Sequence, residues 1–553
     1  MTNRHPRTPE YPLLNFVLAI GAFAAAYWLL TNQRPDAEWY GLAGLVAGVM
    51  GLGWLRAAIV AQRVHARMRR ANKAMDDVGT SHGSARWGTL RDAIKAGLRY
   101  RGYLELGTLN GKRLWKNHEG AAVVISPPGG GKTSRLVMPQ LLREQRDEHG
   151  EPMSIVVLDV SGEIQCVTAR RQRELGREVA SIVPHYARLS EELGVEITDR
   201  GFNPLPVLAD AGEEAKDLAW RLAQAVLPDD PKASGSSKYF NTAAQRMLLF
   251  LNLYMAYHGE PSLAEARRLA MGSAEAWDLV FAEAMTTDAY GGTLAQLATR
   301  FNDTRVSENE WTGIINTVLT SLEIFDDFGP IGRSTSVRDG FDFGKLKDGP
   351  PTTVYLTLPP EYMVSHGAWL NVVLTAGIEQ IMRVRTNRKI LLLLDEIMST
   401  GLALPEIFRI VAVGRKYGLV PVLYLQSYNQ VSSIYGESRT RELFSMCELV
   451  MSSGVRDRET CRWLSQLTGT RTIGQTTHNV RPDLTGSGGP DYSSSKGAHG
   501  RPLLLPEEVR ELPEHKALAF FKNAPPFLLD TTPYFGNPKL LRHADPNPFY
   551  RKG

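Results

Sequence analysis

The sequence predicts an α/β fold: a doubly wound core, interrupted by an all-helical insertion and preceded by two apolar helices. Three observations predict it. Beyond residue 86, short apolar runs alternate with helical patterns, the mark of a sheet covered by helices. Two long uncharged stretches lie within residues 11–60, and no convincing strand pattern occurs between 206 and 325. The implied organisation is an anchor over residues 1–75, a first part of the core over 76–205, the insertion over 206–325 and a second part of the core over 326–553.

The anchor comes first. Residues 11–33 carry no charge, and 13–30 are apolar apart from Asn15. A short turn over 31–38 leads to a second uncharged stretch, 39–55, inside a helix predicted over about 39–60. Each stretch approaches the ~20 residues that cross a hydrocarbon core. A cleaved signal peptide would explain neither the second run nor the apolar residues that continue past Ala24-Ala25-Ala26. Arg4 and Arg7 precede the first stretch, and Arg56, Arg63, Arg67, Arg69, Arg70 and Lys73 follow the second. The turn holds Arg34 against Asp36 and Glu38. Basic flanks mark the cytoplasmic side, so both termini and the core are predicted there, with only a small loop outside. Gly44 and Gly48 would let the helices approach closely.

Strand candidates in the core are 121–125, 154–159, 353–358, 390–394, 419–425, 448–451 and 517–521. Separated by helical patterns, they predict a parallel sheet. Within the insertion, 242–257 and 262–271 read as helices. Residues 207–325 hold 16 acidic against 9 basic residues. A DNA-binding surface leans the other way, so this face suits proteins with basic patches. Residues 474–500 are polar and rich in Gly and Ser, which predicts a mobile loop. After Pro506 come a helix, a strand and a Pro-rich tail.

With 553 residues the chain has room for two or three domains, and a net charge of +4 excludes a general nucleic-acid coat. Cys166, Cys447 and Cys461 lack metal-ligand spacing and argue for a reducing compartment.

The chemistry is concentrated in two places. The apolar run 121–125 feeds Ser126-Pro127-Pro128-Gly129-Gly130-Gly131-Lys132-Thr133-Ser134. Consecutive glycines let backbone N–H groups turn inward around phosphate oxygens, and the following helix adds its positive end. Lys132 then reaches the β- and γ-phosphates, and the Thr133 hydroxyl can ligate magnesium. Ser126 departs from the glycine usual at that position, with Pro127-Pro128 fixing the turn instead. The second place is Lys389-Ile-Leu-Leu-Leu-Leu-Asp395-Glu396, a buried strand ending in two carboxylates. Asp395 suits the magnesium shell, and Glu396 suits polarising an attacking water. Together they predict a RecA-like P-loop core that hydrolyses a nucleotide with Mg2+.

Further residues resemble the type IV coupling proteins, membrane ATPases of bacterial conjugation and type IV secretion. The likeness begins at Gly83-Ser-Ala-Arg86-Trp87 and runs through the phosphate loop. Val157-Leu-Asp159-Val-Ser-Gly162-Glu163 is similar to the family's Asp-Pro-Lys-Gly-Glu segment, with Val160 and Ser161 in place of its proline and lysine. Phe202-Asn203-Pro204-Leu205, Leu394-Asp395-Glu396, Arg415-Lys416-Tyr417-Gly418, Leu425-Gln426-Ser427 with Gln430, and Tyr435-Gly436 follow. Residues 457–469 and 501–513 complete the pattern. The resemblance implies that Arg415 acts as an arginine finger on a neighbouring subunit's γ-phosphate. It implies that Gln426 senses that phosphate, and that six subunits form a ring. It also implies partners: secretion-channel components, with relaxase-bound single-stranded DNA or effector proteins as substrate. A DNA pump of the related FtsK type is the rival enzyme reading, set back by only two membrane segments and no DNA-reading tail. A docking receptor that uses nucleotide only to hold its shape is the rival of another class.

Overall fold

In a computed structural model, the described residues are 11–31, 42–56, 58–59, 62, 80–117, 119–229, 234–259, 261–481 and 491–550, without the side chains of 11–16, 475–481 and 491–496. Arg4, Arg7, Arg63, Arg67, Arg69, Arg70, Lys73 and the turn residues Arg34, Asp36 and Glu38 lie outside them. The chain forms two units, Ala85–Gly469 with Pro502–Gly553, and Met1–Ser84 with Thr470–Arg501.

The larger unit is built on one eleven-stranded sheet. Its strands are β1 (Leu104–Leu109), β2 (Lys112–Lys116), β3 (Ala122–Ile125), β4 (Ser154–Leu158), β5 (Glu178–Ile182), β6 (Thr352–Leu356), β7 (Ile390–Asp395), β8 (Leu419–Leu425) and β9 (Leu449–Ser453). Two strands of the smaller unit come next in the chain, β10 (Thr470–Arg481) and β11 (Asp491–Pro502), before β12 (Lys516–Phe521) and β13 (Phe527–Asp530) complete the sheet. The sheet order is β2-β1-β13-β12-β9-β3-β8-β7-β4-β6-β5.

The purely parallel sheet expected from the sequence is corrected to a mixed one. From β9 to β5 every pairing is parallel, whereas β12 pairs antiparallel with β9 and the remaining strands continue antiparallel. Tight turns impose two of these four antiparallel pairings, β1 with β2 and β12 with β13. Asn110 and Gly111 both take left-handed backbone (φ 50° and 73°), the requirement of a two-residue hairpin between β1 and β2. Asn523, at φ 59°, lies in the connection between β12 and β13. The central strands β3, β4, β6, β7 and β8 are buried along their whole length, which explains their unbroken apolar sequences.

Between β5 and β6 all described elements are helical. The longest are Ala215–Val226, Ser236–His258, Ala274–Met285, Thr293–Thr304 and Glu308–Leu322. Ser262 and Ser273 cap helices by accepting from the N–H groups of Glu265 and Ala276. This layer is tied to helix Gly367–Arg383, where Asn371 Nδ2 donates to Ala225 O (3.1 Å) and Arg221 pairs with Glu379 (2.8 Å).

In the smaller unit, Tyr11–Thr31 is a 21-residue helix without a charged residue, and 42–56 are helical. Among the described residues no helix is long and apolar enough to cross a membrane. The two helices touch at Gly44 and Gly51: a Cβ there would lie 2.7 Å from Leu30 Cγ and 3.3 Å from Phe23 Cδ1. Gly48, expected to share this role, has no neighbour within 4 Å. A seven-residue interval returns to the same helix face more closely than a four-residue one.

The expected loop over 474–500 is also corrected. β10 and β11 are paired strands of 12 residues each, and only their connection, 482–490, lies outside the described residues. Thr, Ile and Val in 470–480 favour extended backbone. The Gly/Ser count of the whole stretch hid that signal.

Candidate nucleotide-binding site

The glycine loop leaves the end of β3 between two parallel neighbours, β8 and β9. Ser126 is buried; its N–H donates to Leu425 O (2.9 Å), and Ser453 Oγ lies 3.4 Å from its hydroxyl. A Cβ at Gly130 would lie 2.5 Å from Ser126 Oγ and 3.0 Å from Pro127 O, so the loop is tightly packed there and favours glycine. Gly129 and Gly131 take left-handed backbone (φ 76° and 79°), while Pro128 and Gly129 face solvent. The turn closes with Gly130 N–H donating to Pro127 O (2.9 Å). Lys132–Val137 then forms a wide helical turn that continues into helix Met138–Leu141. Thr133 and Ser134 are half-buried at its start.

β7 is not the neighbour of β3; β8 lies between them. Lys132 therefore reaches past the end of β8. Its ammonium sits 2.8 Å from Asp395 Oδ1 and 2.9 Å from Glu396 Oε1. Asp395 is buried where β7 ends. Burial raises its pKa, against the opposing pull of the Lys132 ammonium. Glu396 follows in left-handed backbone (φ 52°), an uncommon conformation for a residue with a full side chain. That backbone swings its carboxylate back over the loop, onto the same lysine.

A third carboxylate, Asp159, ends the neighbouring strand β4. Burial, with contributions from Glu163 and Asp395, pushes its pKa up to about 7. Its Oδ2 accepts from Gln165 N–H (2.7 Å), while Oδ1 is buried without a hydrogen-bond partner. Glu163, the other acidic residue of that segment, accepts from Asn547 Nδ2 (2.5 Å) in the C-terminal tail.

The structure brings Lys132, Asp395 and Glu396 into contact, and sets Gln426 beside them at the end of β8. Gln426 N–H donates to Gln430 Oε1 (3.1 Å). Arg415 stands apart. It lies four residues before β8 begins, so the length of that strand, about 20 Å, separates it from the glycine loop. Its Nε donates to Glu119 Oε2 (2.9 Å), and 69% of its side chain is exposed.

Sequence reasoning gave no role to Asp159, although Val157-Leu158-Asp159 repeats the strand-then-carboxylate pattern of Leu393-Leu394-Asp395. It also missed Gly454, which follows β9: a Cβ there would lie 3.1 Å from Gly130 Cα. No local signal announced that contact, because it depends on β9 pairing with β3.

The sequence pattern of the family described as type IV secretory system conjugative DNA transfer matches residues 86–552. The conjugal transfer protein TraG of Agrobacterium fabrum is 24% identical over 440 residues, covering 78% of this chain and 63% of the relative. The type IV secretion system-coupling protein VirD4 of Bartonella quintana is 25% identical over 452 residues, covering 77% and 64%. The chain thus spans just under two thirds of the length of these relatives. Among solved structures, the bacterial conjugative coupling protein TrwB shares the fold, with a TM-score of 0.55, 18% identity, and coverage of 82% of this chain and 96% of that one. TrwB in complex with ADP and Mg2+ matches with a TM-score of 0.55 at 17% identity, over 82% and 96%.

Proposed function

The chain belongs to the type IV secretory system conjugative DNA transfer family, and from that premise we propose that it is a membrane-anchored coupling ATPase. It would use Mg-ATP hydrolysis to deliver relaxase-bound single-stranded DNA, or effector proteins, to a type IV secretion channel. The observation that carries this reading is the Lys132 ammonium, held between Asp395 and Glu396 at the base of a glycine loop.

A triphosphate carries more negative charge than either carboxylate and competes for that ammonium. Glu396 is the carboxylate more readily released, being 29% exposed against 8% for Asp395. Once released, its Oε1 can accept a proton from the water attacking the γ-phosphate. The loop N–H groups from Gly129 to Ser134 would cradle the β-phosphate, and Gln426 would read the γ-phosphate.

The donor set fits magnesium. Among the described residues no group of three His, Cys, Asp or Glu side chains is gathered to hold a metal alone. The Thr133 hydroxyl and Asp395 would share it with phosphate oxygens and water, as this reluctantly dehydrated ion prefers. The buried, unbonded Asp159 Oδ1 adds an acceptor beside that shell. When bound, magnesium neutralises the charge gathered on the phosphates.

Arg415 lies at the opposite end of β8 from the loop and would serve the nucleotide of the next subunit in a ring of six. Exposed Val17, Ile20, Tyr27, Trp28, Leu42, Leu45 and Val49 support an inner-membrane anchor over residues 1–75, and the basic residues flanking it support cytoplasmic ends. Residues 76–205 and 326–553 would form the nucleotide domain, and 206–325 an inserted helical domain that receives substrate.

Magnesium-dependent ATP turnover by the purified full chain tests the reading, with Lys132→Ala as the control. Turnover and substrate transfer should both be lost while membrane insertion and folding persist. Full transfer by cells carrying only Lys132→Ala would remove the motor from the proposal.

A further inference from the structure

The strands β3, β8 and β7 lie side by side, and their carboxyl ends carry the glycine loop, Gln426 and the Asp395-Glu396 pair. Their amino ends are also joined. Glu119 stands three residues before β3, Lys389 immediately before β7, and Arg415 four residues before β8. Lys389 Nζ is 2.6 Å from Glu119 Oε1 and also pairs with Glu148. The second Glu119 oxygen, Oε2, accepts from Arg415 Nε at 2.9 Å. One carboxylate thus bridges a lysine that is 7% exposed and an arginine that is 69% exposed.

That asymmetry has a physical consequence. A buried lysine cannot be left without its carboxylates except at considerable cost, so Lys389 keeps Glu119 in place. Arg415, on a short turn (Gly414–Tyr417) at the surface, has many rotamers open to it. A single charge-assisted bond to a fixed carboxylate reduces those rotamers and aims the guanidinium. The hold is releasable, since an exposed ion pair contributes at most about 1 kcal/mol and a phosphate offers the same fork more charge.

We infer that Glu119, anchored by Lys389, is a positioning residue for Arg415, and that this ion cluster links the chain's own nucleotide site to the site its arginine serves. The inference rests on the proposal that Arg415 acts on a neighbouring subunit. When a nucleotide draws Lys132 and shifts the ends of β3 or β7, the same strands carry Glu119 and Lys389 at their other ends. Arg415 then moves with them. Binding in one subunit is thereby communicated to hydrolysis in the next, through three short, fully buried strands.

The test uses the full chain in membranes, with Glu119→Gln, Arg415→Ala and Lys132→Ala made separately and then mixed in pairs. Glu119→Gln should lower kcat about tenfold, with the KM for ATP unchanged, because the residue lies on the opposite edge from its own loop. Mixed with Lys132→Ala, it should regain turnover: the intact loop of one subunit meets the well-held arginine of the other. In an Arg415→Ala background, Glu119→Gln should cost nothing further. Glu119→Asp, which keeps the charge, should recover part of kcat. If Arg415→Ala fails to complement Lys132→Ala in assembled mixed rings, the arginine's role in trans falls first. If that pair complements but Glu119→Gln turns over like the parent, or raises KM, or adds its loss to that of Arg415→Ala, then Glu119 does not position Arg415.

Discussion

The two ends of strands β3, β8 and β7 hold their charges in different ways. At the carboxyl ends, Asp395 and Glu396 share one ammonium, and the buried Asp159 at the end of the neighbouring strand feels the Asp395 charge. At the amino ends, Lys389 and Arg415 are matched by Glu119 and Glu148. The first arrangement is short of positive charge and attracts a cation; the second is nearly closed, with one arginine left on its rim. Burial also acts differently. It raises the pKa of Asp395, whereas at Glu119 the bonds to Lys389 and Arg415 outweigh burial and hold its carboxyl below the usual range. An anionic surplus at one end and a paired cluster at the other is the electrostatic difference between the two ends.

The largest effect should come from the rim arginine. Arg415→Ala removes a group that touches nothing in its own site, so it should leave ATP affinity intact and lower turnover on the order of 10³-fold. Equilibrium binding and turnover, measured on the same preparation, check this. A parallel loss of affinity would mean that Arg415 holds the bound nucleotide as well as promoting its hydrolysis.

Glu396→Gln sharpens the contrast from the other side. The amide keeps the bond to Lys132 and loses basicity, so binding should persist while turnover falls on the order of 10²-fold. Single-turnover kinetics separate the chemical step from product release. Unchanged turnover would shift the proton-accepting role to another carboxylate, with Glu163 the next to examine.

The smallest effect concerns pH. Asp159 in the folded protein titrates near 7, above the ordinary value of 3.8. Between those values the unfolded chain has released the proton that the folded protein keeps. The stabilisation from this group is therefore complete below the ordinary value and is lost as pH rises toward 7, at no more than about 1.4 kcal/mol per pH unit. Asp159→Asn should remove that slope, leaving a denaturation midpoint above the parent's near neutral pH and similar to it in acid. Parallel profiles for the two proteins would show that Asp159 is not held in the way its burial implies.

Much of the fold could be read from local patterns. The run 419–425 coincides with β8, and 154–159 and 390–394 each fall within a residue of an observed strand, because buried parallel strands are written as unbroken apolar residues. The edge strands were harder. In β1 and β2 exposed or half-buried positions interrupt the apolar run, so no such run stood out, although Asn110-Gly111 carried the turn signal. β10 and β11 were concealed by the Gly and Ser counted with them.

The sequence by itself determined the chemistry of the loop and of the strand that ends in Asp395-Glu396. Both are contiguous, and their residue types leave few alternatives: glycines where the backbone turns left-handed or packs closely, and carboxylates where an apolar strand emerges. Only the tertiary structure decided that β8 separates β3 from β7, that Asp159 joins Asp395, and that Glu119, Lys389 and Arg415 meet at the far edge. Strand order is a matter of non-local pairing, in which any buried apolar strand can in principle lie beside another. The contacts between residues hundreds of positions apart follow from that order and leave no trace in local periodicity.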